Sequence, residues 1–147
     1  MLLFRVLVLL LTLGAGSIAQ AQTLSHRAEN QVPVTLIEVN RQAQYTEVHL
    51  RADIDRENVC WTDQGDNSPY LLAGGKRYRF IEGRNIMICP ARRGYKAGEV
   101  MILHFQPLPA SINQISLVEG QGGENQMIDP ASAPGMRYWN FLRVALP

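Results

Sequence analysis

Between residues 45 and 53 the chain alternates without a break. Thr46, Val48, Leu50 and Ala52 fall on one side; Tyr45, Glu47, His49, Arg51 and Asp53 fall on the other. Successive side chains of a β-strand point to opposite faces, so a period of two argues for a strand and against a helix. One face is largely apolar and the other polar. The segment therefore predicts a strand with one buried face and one wet face.

The same period dominates the chain after residue 31. Residues 32–39 predict a first strand, with Pro33 confining its start to a sheet edge. Residues 59–62 predict another, ended by the turn cluster 63–69. Residues 70–73 and 76–81 flank Gly74-Gly75. Two glycines between strand-like runs predict a hairpin, because the primed turns need positive φ. Residues 85–89 form a further run. Residues 100–105 are nearly all apolar and predict a central strand covered on both faces, ended by Pro107 and Pro109. Residues 112–118 and 138–146 complete the strands. Between them lies a long loop rich in glycine and proline. The fold class expected is all-β: an antiparallel immunoglobulin-like β-sandwich of about seven to nine strands after a cleaved signal helix, with a small barrel as the alternative.

The signal helix is read from the start of the chain. Met1-Leu2-Leu3-Phe4-Arg5 carries one positive charge, residues 6–13 are hydrocarbon apart from Thr12, and Ala19-Gln20-Ala21 is a small-x-small cleavage pattern. This predicts a secretory signal peptide over 1–21, with Gln22 as the first mature residue. The apolar run is shorter than the roughly 20 residues of a spanning helix. No cysteine precedes Gln22, which argues against a lipid anchor. The expected organisation is a signal peptide over 1–21, a flexible arm over 22–31 and a β-sandwich domain over 32–147. The mature chain is expected in the periplasm or outside the cell, without a membrane span.

Export bears on the two cysteines, Cys60 and Cys89. In an oxidising compartment an even count predicts a bridge. Closing a loop of this length contributes roughly 3.5 kcal/mol by the chain-entropy model. Neither cysteine belongs to a C-x-x-C pair, so a structural disulfide is expected rather than a reactive thiol.

Arg5 is the only charge before Gln22, so the 14 basic residues fall to 13 and match the 13 acidic ones. A net charge near zero gives no field to hold nucleic acid. The short basic clusters, Lys76-Arg77-Tyr78-Arg79 and Arg92-Arg93, read as solvated strand or loop faces.

Catalytic motifs are missing. His26, His49 and His104 lie in the presumed arm, on a polar strand face and inside an apolar run. Their spacing matches no metal motif, and His104 reads as a hydrogen-bonded core or edge histidine. No serine sits in a G-x-S-x-G elbow. Asp53, Asp55 and Glu57 alternate as calcium ligands can, but lack the EF-hand glycine and final glutamate, so they read as a polar loop. Gly120-Gln121-Gly122-Gly123 precedes no helix and is no phosphate cradle. No catalytic residue, metal ligand or cofactor is assigned. The aromatic residues, Tyr138-Trp139 included, read mainly as core.

Several marks occur in order: Thr46-Glu47-Val48-His49-Leu50, Tyr70-Leu71, Gly75-Lys76-Arg77-Tyr78, Phe105-Gln106-Pro107-Leu108-Pro109, Ile115-Ser116-Leu117-Val118-Glu119-Gly120 and Trp139-Asn140-Phe141. In these the chain resembles small exported bacterial immunoglobulin-like β-sandwich domains of uncharacterised function, over most of residues 33–146. The resemblance implies fold and export and brings no catalytic residues. The Cys60 and Cys89 pair is not part of the pattern.

Two functional expectations follow. The first is a non-enzymatic binding or interaction domain of the bacterial cell envelope, with an envelope protein or glycan as partner. Its candidate surfaces are the turn 63–69 and the long loop 119–137, represented by Glu119, Gln121, Glu124, Asn125, Arg137 and Tyr138. The second is an exported hydrolase, or an inhibitor of one, with a dispersed site. The enzyme version expects Asp53 or Asp55 to converge with His49.

Overall fold

The computed structural model describes residues 21–29, 32–65, 68–119 and 139–147. Among them are ten strands and no helix: β1 (Ala21–Arg27), β2 (Val34–Arg41), β3 (Thr46–Ala52), β4 (Arg56–Val59), β5 (Tyr70–Ala73), β6 (Lys76–Arg84), β7 (Arg93–Tyr95), β8 (Val100–Phe105), β9 (Gln114–Val118) and β10 (Phe141–Ala145). Eight form one antiparallel series in the order β1-β2-β3-β8-β6-β5-β9-β10, while β4 pairs with β7. The protein is thus all-β and antiparallel. The series nearly closes as a barrel: the Glu29 backbone N–H donates to the Asn140 carbonyl at 2.9 Å, which brings the ends of β1 and β10 together.

The alternation that marks β3 does what its period requires. Val48, Leu50 and Ala52 are fully buried and pair with β8 at Val48↔Leu103 and Leu50↔Met101. Burying a side chain of this size contributes about 1.5–3 kcal/mol. The partner β2 buries Val34, Leu36 and Val39, a spacing that breaks the period of two. A bulge between Leu36 and Glu38 restores the phase, so that Leu36 faces Leu50 and Val39 faces Val48. In β10 a second irregularity between Phe141 and Val144 keeps both side chains in the core. Arg143 sits there at φ 51°, and its N–H donates to the Ser116 hydroxyl at 2.9 Å.

The Gly74-Gly75 hairpin forms as expected, with φ of 54° and 75° and Ala73 paired to Lys76. Strand β8 spans 100–105 as read. Met101, Leu103 and Phe105 face the core, Val100 and Ile102 are half-buried, and His104 is buried within a polar network. After β8 the Leu108 N–H donates to the Thr46 hydroxyl at 3.0 Å, which pins the buried Leu108 between the exposed Pro107 and Pro109.

Several boundaries differ from expectation. The arm expected over 22–31 begins as a strand, with β1 laid along β2 from Ala21↔Asn40 to Arg27↔Thr35. Its side chains carry little periodicity, but a ladder uses backbone groups and forms wherever an open edge is offered. As a result β2 is interior, and Pro33 stands before its first ladder residue. The strand expected at 59–62 is displaced to β4, and Trp61 instead makes an isolated parallel bridge to Ile88. Residues 85–89 are not a strand, because Asn85 at φ 53° turns the chain out of β6. Of the signal peptide expected over 1–21, residues 1–20 lie outside the described residues, and Ala21 is the first residue of β1.

Candidate binding cleft

The bridge between Cys60 and Cys89 is formed, with Cα atoms 5.1 Å apart. It joins the segment after β4 to the segment between β6 and β7, and so flanks the β5–β6 hairpin. Backbone bonds lie beside it: the Trp61 N–H donates to the Met87 carbonyl at 2.8 Å, and the Cys89 N–H to the Trp61 carbonyl at 3.0 Å.

This bridge forms one wall of a cleft of about 710 Å³. Arg56 and Asn58 of β4, Trp61, Arg92, Glu119 and Trp139 complete much of its lining. The two indoles meet edge to face with centroids 5.4 Å apart, an arrangement aromatic pairs favour. Trp61 is 1% exposed and Trp139 5%. The Arg56 guanidinium lies 5.6 Å from the Trp139 ring centroid, within cation–π reach. Arg92 donates from Nη1 to the Asn58 carbonyl at 3.1 Å. The Trp61 indole N–H is buried and has no acceptor among the described residues.

Glu119 is the chemical centre of the cleft. It follows β9, and its carboxylate Oε2 accepts the Trp139 backbone N–H at 3.0 Å. In return its own N–H donates to Asn140 Oδ1 at 3.0 Å. Burial raises its pKa from 4.5 to about 7, against the opposing pull of the Trp139 N–H. The side chain therefore changes charge near neutral pH.

Of the candidate loop residues, Glu119 is the one inside the described residues; Gln121, Glu124, Asn125, Arg137 and Tyr138 lie outside them. The loop's described flanks, Glu119 and Trp139, both line the cleft. The other candidate surface, the turn 63–69, borders in its described part a separate cavity of about 750 Å³ with Arg77, Arg79 and Ile81.

The carboxylates named beside His49 do not converge on it. Asp53 accepts from the Thr35 hydroxyl at 2.7 Å and from Arg51 at 3.2 Å. Asp55 accepts from Lys96 Nζ at 2.8 Å and the Ala97 N–H at 2.9 Å, and these bonds hold its carboxyl below the usual carboxylate range. His49 instead faces Glu38 at 3.5 Å and Glu47 at 3.4 Å. Among the described residues no group of three or more His, Cys, Asp or Glu is arranged to hold a metal ion. No helix there is long and apolar enough to cross a membrane.

Sequence reasoning placed Glu119 in a surface loop and missed both its burial and the roles of Arg56, Trp61 and Arg92. A signal for part of this was present. Glu119-Gly120 and Trp139-Asn140-Phe141 are marks of the resemblance, and Glu119, Trp139 and Asn140 meet through reciprocal bonds. The chain matches no protein-family model, no curated protein and no solved structure.

Proposed function

We propose that the protein is an exported, non-enzymatic binding domain of the bacterial cell envelope, and that its ligand is taken in the cleft between the disulfide, Trp139 and Glu119. The observation that carries this reading is the buried Glu119 carboxyl among the residues lining that cleft. An acid whose pKa is strongly perturbed by burial and which lines a cleft is a candidate for a functional site. The Trp61 indole N–H, which has no acceptor among the described residues, favours a ligand with hydrogen-bond acceptors, such as a glycan or a peptide backbone. The candidate loop 119–137 begins at Glu119, a residue that lines the cleft.

Export rests on the signal-peptide pattern, with cleavage before Gln22. The immunoglobulin-like description rests on β6, whose first half pairs with β5 and whose second half pairs with β8. One strand thereby divides the series into two faces over a common core. The resemblance to exported bacterial sandwich domains supports the same picture.

The test uses the mature chain, from Gln22, to capture glycans and proteins from an envelope extract. Binding should be lost in Arg92→Glu and when residues 121–137 are replaced by a Gly/Ser linker. Capture unchanged by both alterations would place the site elsewhere. A second reading, an exported hydrolase, is favoured by one property of Glu119: its pKa lies where a general acid or base works best. Turnover of a captured ligand, lost in Glu119→Gln, would decide for it.

A further inference from the structure

On the outer face of the sheet, away from the cleft, a chain of alternating carboxylates and imidazoles crosses four strands. Glu38 of β2 meets His49 of β3 at 3.5 Å. His49 meets Glu47 at 3.4 Å, and Glu47 meets His104 of β8 at 3.0 Å. His104 then meets Glu82 of β6 at 3.1 Å. His104 is the buried member, 2% exposed, whereas Glu82 is 62% exposed. The bulge between Phe80 and Glu82 builds the last contact, since it sets Glu82 opposite His104 while Phe80 stays against Phe105.

We infer that His104 is held as an imidazolium between Glu47 and Glu82 and acts as a proton-operated strap joining β3, β8 and β6. The reason is a count of protons. A neutral imidazole has one N–H and one bare nitrogen, while an ionised carboxylate can only accept. Both ring nitrogens of His104 lie at hydrogen-bond distance from carboxylate oxygens, Nδ1 from Glu82 and Nε2 from Glu47. Two donors are therefore needed on one ring. With a single proton, one nitrogen would aim its lone pair at a carboxylate in a nearly dry position.

Tyr45 supports the same state. Its ring is stacked on His104, with centroids 4.4 Å apart and planes 13° from parallel, and an aromatic face favours a cation above it. A proton placed on a carboxyl is the less favourable alternative. Glu82 is largely solvated, and Glu47 is also faced by His49 and by Asn40 Nδ2 at 3.5 Å.

The strap needs both ring protons: with two it holds two charge-assisted bonds, and with one it holds a single bond. Loss of the proton replaces one charge-assisted bond with a repulsive contact and loosens the end of β6. Past Arg84 the chain turns out of the strand at Asn85 and continues to Cys89 and Pro90, which line the cleft; the strap itself needs no ligand there.

Nitrogen-15 spectra of the His104 ring, recorded from about pH 5 to about pH 9, test the inference. The full mature chain is used, with amide exchange at residues 82–84 corrected for its intrinsic pH dependence. At the acid end both ring nitrogens should carry protons. As one is lost, exchange in β6 should quicken roughly tenfold, the size expected for one charge-assisted hydrogen bond. Glu82→Gln changes a solvated side chain and should keep the fold while flattening that step. A ring with one bare nitrogen throughout the series overturns the inference. So does a proton loss that leaves β6 exchange unchanged, or a step that persists in Glu82→Gln.

Discussion

The carboxylate of Glu119 accepts the backbone N–H of Trp139, a residue twenty positions further along the chain. The contact ties the Trp139 backbone to a titratable side chain, and both residues line the cleft. Burial holds that group near neutrality, so one interaction links packing to pH.

Glu119→Gln should therefore change how stability depends on pH. The folded pKa of about 7 lies above the ordinary 4.5, so the folded state holds its proton where the unfolded chain has released it. Stability then falls as pH rises from about 4.5 to about 7 and levels off above that. The total loss is about 3 kcal/mol. The glutamine side chain keeps an oxygen for the Trp139 N–H and does not ionise. Urea midpoints of the two proteins should be close near pH 4.5, the ordinary carboxyl pKa, and the variant should be the more stable at about pH 8. Parallel curves for the two proteins would mean that Glu119 is not the titrating group.

Asn140→Leu removes the acceptor of the Glu119 N–H, a buried bond. An orphaned buried donor costs about 1–3 kcal/mol. The urea midpoint should drop with the slope unchanged, because the exposed area does not alter. Asn140→Asp retains an acceptor and should lose less at neutral pH.

What was legible in the chain divides along physical lines. Strand β3, the Gly74-Gly75 turn and β8 were readable because each is governed by residues within a few positions of one another. The disulfide was readable because two cysteines leave one pairing, and the expected export favours its oxidation. Strand β1 was not, because its evidence lies in the open edge of β2 and not in its own side chains. Glu119 was readable as a mark but not as a buried acid. Its burial depends on Trp139, which approaches from a distant part of the chain. The outer-face histidines were visible singly, yet their partners come from β2, β3 and β6 and are set by bulges that no local pattern announces.

Reduction of Cys60–Cys89 should destabilise the fold by roughly 3.5 kcal/mol on the entropy model. The local effect should centre on the Trp61–Ile88 bridge, since the disulfide holds the two segments that make it. Quantitative reduction should lower the urea midpoint and redshift tryptophan emission as Trp61 gains water. The hydrogen-exchange protection of β3 and β8, which the bridge does not touch, should persist under native conditions. If protection there collapses together with the tryptophan change, the bridge secures the whole core and not only the cleft wall.

The last prediction separates two causes of strain in one turn. Gly74 and Gly75 both have positive φ, where a Cβ costs about 1–2 kcal/mol. A Cβ added at Gly75 meets nothing within 4 Å, so Gly75→Ala should lose stability through backbone conformation alone. At Gly74 the same atom would lie 3.3 Å from Ile112 Cδ1, so that side chain must also give by a few tenths of an ångström. Gly74→Ala should therefore be the more harmful change. Asn tolerates the left-handed region, so Gly75→Asn should recover much of what alanine loses. Thermal midpoints of the three variants should fall in the order Gly75→Asn, Gly75→Ala, Gly74→Ala, from most to least stable. Equal losses for the two alanine variants would mean that Ile112 yields freely and that φ alone sets the requirement for glycine.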